Sequence, residues 1–419
     1  MRRRVAITGL GVVSPVGSSC ADFFDALLHA RSGLRSIEVP FPSGSESVVL
    51  GPVDFQADQH YSRAKLITLD RVSQLAGVAA RQAMTQARLG DAQQRLAAYD
   101  SERFGVCVGN ANGGSCSVDA AYTELIEHKA AHLRPMTVVL SMNNASAAHV
   151  GMDFQLRGPS CTVANACASS AIAIGQAFQH IRHGYADAML AGGAEALLNR
   201  GVVKAWQAMQ TLARPHPDGA DRSCRPFSAD RTGLVLAEGA GMLVLEEWDS
   251  AQRRGATILA ELAGYGVTTD AHHLTQPQAA TQAAAMRLAL ADAQLAPSDI
   301  GYLNAHGTAT DVGDVVETQS IKQAFGALAA QLPISSTKAL HGHAMGASGA
   351  IEFIASVLAL GAGQLPPTAF LEQPDARCDL DYIANVSRTA HNLRAVISNS
   401  FAFGGTNAVL VVAKSYSQP

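Results

Sequence analysis

Apolar runs alternate with longer, Ala-rich stretches of helical period along most of the chain. Val5-Ala6-Ile7, Phe104-Gly105-Val106-Cys107-Val108-Gly109, Ala188-Met189-Leu190-Ala191 and Gly241–Glu246 read as buried strands in the first half. Ile258–Leu262, Ile300–Asn304, Ile334–Lys338, Ala395–Asn399 and Ala408–Val412 read so in the second. Between them the pattern predicts helices at about 20–30, 66–88, 119–132, 137–150, 279–293, 312–325 and 349–360. Strands alternating with helices predict an α/β fold with buried, mostly parallel sheets. Residues 35–60, with Pro40, Pro42, Gly44 and Pro52, read as irregular. Two halves, 1–254 and 255–419, carry a similar strand–helix order, as a duplication would. No flexible linker separates them, so one rigid body is expected.

One stretch organises the pattern: Val163-Ala164-Asn165-Ala166-Cys167-Ala168-Ser169-Ser170. A short apolar run meets a cysteine, and a helical pattern follows through Ala171, Ile174, Ala177, Phe178 and Ile181. It closes with His180, Arg182 and His183 in its last turn and Gly184 beyond, the usual signals of a helix end. Cys167 therefore falls at a helix N-terminus, where free backbone N–H groups and the dipole stabilise a thiolate. Alone, a buried cysteine is more often inert packing; other segments change that balance.

Composition narrows the class. In 419 residues, 48% are hydrophobic and 16% charged, the balance of a globular enzyme. A net charge of −4 argues against nucleic-acid binding on bulk charge. The seven cysteines show neither a disulfide framework nor metal spacing, which fits a reducing cytoplasm and predicts no metal site. The basic N-terminus leads into an apolar run cut by Thr8, Gly9, Gly11 and Ser14-Pro15, a first strand rather than a signal peptide. No stretch reads as long and apolar enough to span a bilayer. Gly9-Leu10-Gly11 resembles the start of a dinucleotide loop, but Ser14 and Pro15 break the pattern and a tight turn is expected instead.

Three Gly-rich segments of the second half present polar groups at strand ends: Asn304–Thr310, Lys338–Glu352 and Asn399–Asn407. Two histidines in separate Gly-flanked turns (His306, His343), a lysine (Lys338) and a cysteine at a helix start make an acyl-transfer site with a thiolate nucleophile.

In these motifs, their order and their spacing, essentially the whole chain resembles the β-ketoacyl–acyl carrier protein synthases of the KAS I/II type. The resemblance implies a thiolase fold with two duplicated halves in a five-layered αβαβα sandwich, usually dimeric. It implies that Cys167 accepts an acyl chain, with the backbone N–H groups of Cys167 and Phe403 as the oxyanion hole. His306 and His343 would hold the thioester oxygen of malonyl–acyl carrier protein through decarboxylation, with Lys338 held by Glu352. Thr308 and Thr310 match positions that bond the pantetheine arm. Phe401 and Asn399 fall in the gating segment, as substrate contact and structural support. No cofactor is implied beyond the carrier protein's own phosphopantetheine.

Several residues depart from that pattern. Ala402 replaces the first glycine of the gating loop, which would stiffen the gate if the position needs positive φ. By approximate alignment Asn112 and Trp206 fall on acyl-tunnel positions, and a polar amide there points to a short, unsaturated, oxygenated or aryl-primed acyl group. Arg63, Lys65, Lys129, Arg134, Lys204 and Arg214 are candidates for docking the acidic carrier protein. His341 reads as a loop or surface residue, His272 and His273 as neighbours of the tunnel mouth, and Cys161 as inert packing. The leading reading is a condensing enzyme of fatty-acid or polyketide biosynthesis, a homodimer. Alternatives are the catalytic partner of a chain-length factor, that non-catalytic factor itself, and a biosynthetic thiolase. The full Cys-His-His-Lys set argues against the last two.

Overall fold

The computed structural model describes residues 2–414. The apolar runs pair into a ten-stranded sheet. Its strands are β1 (Val5–Val13), β2 (Phe104–Gly109), β3 (Ser160–Val163), β4 (Ala188–Glu195), β5 (Gly239–Glu247), β6 (Ala260–Thr269), β7 (Ile300–Asn304), β8 (Ile334–Ser335), β9 (Ala395–Phe401) and β10 (Thr406–Ala413). Their order is β8-β7-β9-β10-β6-β1-β5-β4-β2-β3. Counted outward from the middle, each half lays its own strands down as first, fifth, fourth, second, third. In each half the first two pairings are antiparallel and the last two parallel. The halves join where Ala6 and Ile7 of β1 pair with Glu261 and Ala260 of β6.

The sheet is thus mixed, not mostly parallel. The long apolar strands report cover on both faces, and that cover is independent of strand direction. Helices α1 (Arg71–Gln86) and α2 (Ala145–Phe154) pack on the outer face of the first half. Helices α3 (Ser169–Arg182) and α7 (Ser348–Ala362) fill the middle; α5 (Ala279–Ala293) and α6 (Asp311–Phe325) cover the second half. Helix α4 (Arg200–Ala208) lies beside the site described below. The result is the five-layered thiolase-like arrangement.

Small residues set the layer spacing. A Cβ at Gly9 would lie 2.1 Å from the Ala83 carbonyl oxygen, and one at Gly11 1.9 Å from that of Ala79. Gly264 and Gly266 of β6 meet Ala289 and Ala285 of α5 in the same way, at 2.3 and 2.2 Å. Each half thus repeats a Gly-x-Gly strand pressed against an alanine face. Gly9-Leu10-Gly11 lies within β1 and serves this close packing.

Four local expectations are corrected. Residues 35–50 form a hairpin, Arg35–Phe41 paired antiparallel with Gly44–Leu50; a two-stranded ribbon is all edge and tolerates Pro40. The helix expected at 119–132 runs Ser115–Tyr122 and gives way to a π-turn at Thr123–Glu127. The helix expected at 137–150 is two pieces, Thr137–Ser141 and α2. One helical window, Met345–Ala362, is apolar and long enough to cross a membrane by composition, and most of it is buried as the central helix α7. There its low polarity reflects contact with both halves of the sheet.

Candidate active site

The two central helices begin alike. A 3₁₀ turn, Ala166–Ala168, leads into α3, and another, Met345–Ala347, leads into α7. Ala166 has φ 47° and Met345 φ 39°, left-handed values uncommon for side-chain-bearing residues. The first elbow is held by Ser169, whose hydroxyl accepts from the Asn165 N–H (2.8 Å) and donates to the Ala166 carbonyl (2.6 Å). It thrusts Cys167 into a cavity of about 450 Å³, with Met345 Sδ 3.7 Å from its sulfur.

The other groups come from the second half, His306 and Lys338 just after strands and His343 after the short helix Lys338–His341. His306 follows β7, in a turn whose His306 and Gly307 N–H groups donate to the Glu317 carboxylate at 2.9 and 2.7 Å. Asn399 Nδ2 donates to that carboxylate at 3.1 Å. Lys338 follows β8, is fully buried, and is ion-paired to buried Glu352. Its Nζ donates to the His306 carbonyl at 2.6 Å and lies 3.4 Å from His306 Nδ1. His343 Nδ1 lies 2.8 Å from Ser348 Oγ, and its Nε2 is buried without a partner. The two imidazoles meet edge to face, centroids 5.3 Å apart. One ligand atom each from Cys167, His306 and His343 lies within 4.8 Å of the others.

Burial sets the protonation states. Both histidines are pushed well below the usual range, first by burial and then by the Lys338 charge, so both are neutral near pH 7. Burial pushes Cys167 up to about 12, against the pull of Lys338 and of the Phe403 and Cys167 backbone N–H groups aimed at its sulfur. The low thiol pKa expected from the helix N-terminus is therefore not seen, because burial outweighs the dipole. Phe401, Ala402, Phe403, Thr308, Thr310, Trp206 and His273 also line the cavity.

A β-ketoacyl synthase N-terminal domain model matches residues 2–251 and the corresponding C-terminal domain model matches 259–372. The chain belongs to the β-ketoacyl synthase family. It is 44% identical over 410 residues to nodulation protein E of Rhizobium sp. (strain N33), covering 98% of this chain and 99% of that one. It is 37% identical over 415 residues to 3-oxoacyl-[acyl-carrier-protein] synthase 2 of Staphylococcus aureus (strain COL), covering 98% of each. Among solved structures, the ishigamide ketosynthase/chain length factor superposes with TM-score 0.91 at 32% identity, over 99% of this chain and 100% of that one. The chain is a β-ketoacyl synthase, a condensing acyltransferase.

In this synthase the structure gathers Cys167, His306, His343, Phe401, Phe403, Thr308, Thr310 and Trp206 around one cavity. Lys338, Glu352 and Asn399 stand behind it, buried. Asn112 is elsewhere: it is exposed, does not line the cavity, and gives its backbone N–H to Glu195 at 3.3 Å. His341 is fully buried, not a loop or surface residue; it packs near Phe23, bonds Thr337 Oγ1 at 3.0 Å and is pushed down to about 3. Cys161 is half-buried on β3 opposite Cys107, and a hydrogen bond from the Cys107 thiol pulls it down to about 6. It packs against the central core, as expected.

Sequence reasoning passed over Glu317, Glu195, Ser348 and Met345. Asp314 and Glu317, at i and i+3 on α6 with Ile321 beyond, put two carboxylates on its buried face, a signal that was available. Glu195 ends β4 and accepts from the N–H groups of Ala111 (2.5 Å), Asn112 and Gly346 (3.1 Å), joining both halves; burial raises it to about 7.

Proposed function

We propose that the chain loads an acyl group onto Cys167 and condenses it with a malonyl unit delivered by acyl carrier protein. The meeting of the Cys167, His306 and His343 side chains within 4.8 Å at one cavity carries this reading. The Cys167 sulfur attacks the donor thioester carbonyl and the carrier thiol leaves with the proton. The Phe403 and Cys167 N–H groups receive the oxyanion. Lys338 Nζ can only donate, so His306 Nδ1 accepts and Nε2 carries its proton. With the Ser348 hydroxyl donating to Nδ1, His343 also carries its proton on Nε2. Two neutral N–H donors then hold the malonyl thioester oxygen as carbon dioxide departs and the enolate forms. The enolate carbon attacks the acyl–Cys167 carbonyl, and the thiolate is released. No metal takes part in this scheme; the cysteine–histidine cluster serves as nucleophile and donors.

A carrier protein docks at the cavity mouth. Of the candidate cations, Lys65 is paired with Asp153 and Lys204 with Glu46, both at 2.6 Å, so the exposed Arg63, Lys129, Arg134 and Arg214 are better placed to meet acidic groups. A second subunit is supported by the apolar face of Tyr122, Ile126, Val138 and Met152, all exposed, together with the free edge of β3. A second copy is the first choice. A chain-length-factor partner is favoured by the likeness to the ishigamide ketosynthase/chain length factor. All seven cysteines are free, which supports a reducing cytoplasm.

The test is intact-protein mass spectrometry after incubation with a panel of acyl–carrier-protein thioesters, wild type beside Cys167→Ala. Adducts are expected on wild type alone, the favoured acyl group naming the pathway. An adduct on Cys167→Ala of the same stoichiometry refutes the assignment.

A further inference from the structure

Gln282 on α5 is 98% buried in the sense that only 2% of it is exposed, yet it lines the cavity, and its Oε1 has no hydrogen-bond partner. Its polar neighbours are satisfied. Thr281 Oγ1 donates to Asp270 and lies 3.0 Å from the Gln278 carbonyl; Asn407 Nδ2 donates to Asp270 at 2.7 Å; the Thr308 and Thr310 hydroxyls bond each other at 3.0 Å. Leaving one carboxamide unpaired in such a wall costs about 1–3 kcal/mol unless something entering the cavity pairs with it. Gln282 lines the same cavity as Cys167, Thr308 and Thr310, and a thioester donor whose carbonyl reaches Cys167 lays its arm along that cavity. That arm is a chain of methylenes with two secondary amides, each a donor and an acceptor.

We infer that the Gln282 carboxamide hydrogen-bonds an amide of the pantetheine arm and so positions the thioester over Cys167. This rests on the carrier-dependent condensing reading above. A water can occupy the position between turnovers, and the arm's amide displaces it. Gln282 is a positioning residue: it acts on the arm and leaves the reacting carbonyl to the other groups.

The test compares wild type with Gln282→Met, which fills the same space without an amide, and Gln282→Asn, which withdraws the amide by one methylene. Each is assayed for acylation of Cys167 by acyl thioesters of pantetheine (both amides), of N-acetylcysteamine (one) and of ethanethiol (none). Loss of one hydrogen bond to a buried partner is expected to raise KM for the pantetheine thioester about tenfold in both variants, kcat unchanged. The ethanethiol thioester should react equally with all three proteins, which also certifies that the variants fold. An equal loss on every donor, or no loss on any, overturns the inference. Wild type that takes no acyl group from any donor overturns the underlying reading instead, so the two failures are separable.

Discussion

Lys338 touches His306 twice, its Nζ 2.6 Å from the carbonyl oxygen and 3.4 Å from Nδ1. One buried ammonium therefore fixes the turn that carries the histidine and also selects the tautomer whose proton faces the cavity. The same charge is the second cause, after burial, of the depressed basicity of His306 and His343.

Lys338→Met should uncouple these effects. Removing the charge raises the pKa of His306 and His343, so the acid limb of malonyl decarboxylation moves to higher pH than in wild type, where both histidines stay neutral well below the usual value of about 6.5. The variant leaves Glu352 buried without its partner, at a cost of about 3–5 kcal/mol less whatever protonating the carboxyl recovers. That recovery is real, since burial already holds Glu352 up at about 7. Adding Glu352→Gln should restore most of the melting temperature and none of the activity. A double variant that regains decarboxylation would show that Lys338 acts only as a counter-ion.

A second ion cluster braces the loop beneath the cavity. Arg231 is ion-paired to Asp375 at 2.7 Å and bonds the Thr310 and Asp311 carbonyls at 3.0 and 2.8 Å. Arg377 and then Arg231 hold the Asp375 carboxyl well below the usual range. A group whose folded pKa is depressed adds stability that is complete above the unfolded pKa, about 3.9, and is lost as pH falls through the folded value. Asp375→Asn should therefore melt below wild type at pH 7, and the gap should narrow as pH drops from 5 to 3. Thermal melts across that range decide it; a gap that widens on acidification contradicts the ionised cluster.

The gating loop offers a pair of opposed substitutions. Gly405 has φ 78°, and a Cβ there would sit 2.7 Å from Asp270 Cβ. Gly405→Ala should shift the Phe403 N–H away from Cys167 and cut acyl transfer about 10²-fold, the scale of losing one oxyanion donor. Ala402 is half-buried and is not among the residues of positive φ, so its methyl costs nothing in the conformation seen. Ala402→Gly should leave transfer nearly intact while loosening the loop by up to about 1 kcal/mol. Stopped-flow acylation of both proteins tests the contrast, and equal losses would refute it.

The placement of the candidate site was legible where sequence and geometry coincide. Cys167, His306, His343 and Lys338 each sit in or beside a turn flanked by small residues, so local pattern marks them. Glu195 was not legible because its role lies in backbone N–H groups of distant turns, which no side-chain motif announces, whereas Glu317 was marked by its i, i+3 spacing from Asp314 on the buried face of α6. His341 was misplaced for a related reason. Its neighbours Gly342 and His343 read as an exposed turn, and only the stacking of the first layers around Phe23 buries it. The hairpin at 35–50 was hidden by prolines that an edge ribbon accepts. The duplication, faint in sequence, is plain in the repeated strand order and in the matched elbows at Ala166 and Met345.

Trp206 bears on which acyl group the site prefers. Its indole stacks on Phe403, centroids 5.9 Å apart and planes 20° from parallel, and both rings line the cavity. Planar unsaturated or aryl groups gain from stacking on such faces, by about 0.5–1.5 kcal/mol beyond area burial, where a saturated chain gains only the area. With Asn112 outside the cavity, the case for an unsaturated or aryl-primed substrate rests on this pair alone. Polyenoyl or aryl thioesters should acylate Cys167 about 2- to 10-fold faster than palmitoyl at equal concentration, and Trp206→Leu should erase that preference while leaving palmitoyl transfer within about twofold. Competition between the two donors, read by intact mass, measures both arms at once. Equal or faster palmitoyl loading by wild type would remove the argument for a polyketide-like primer and leave a fatty-acid synthase as the better account of the same catalytic groups.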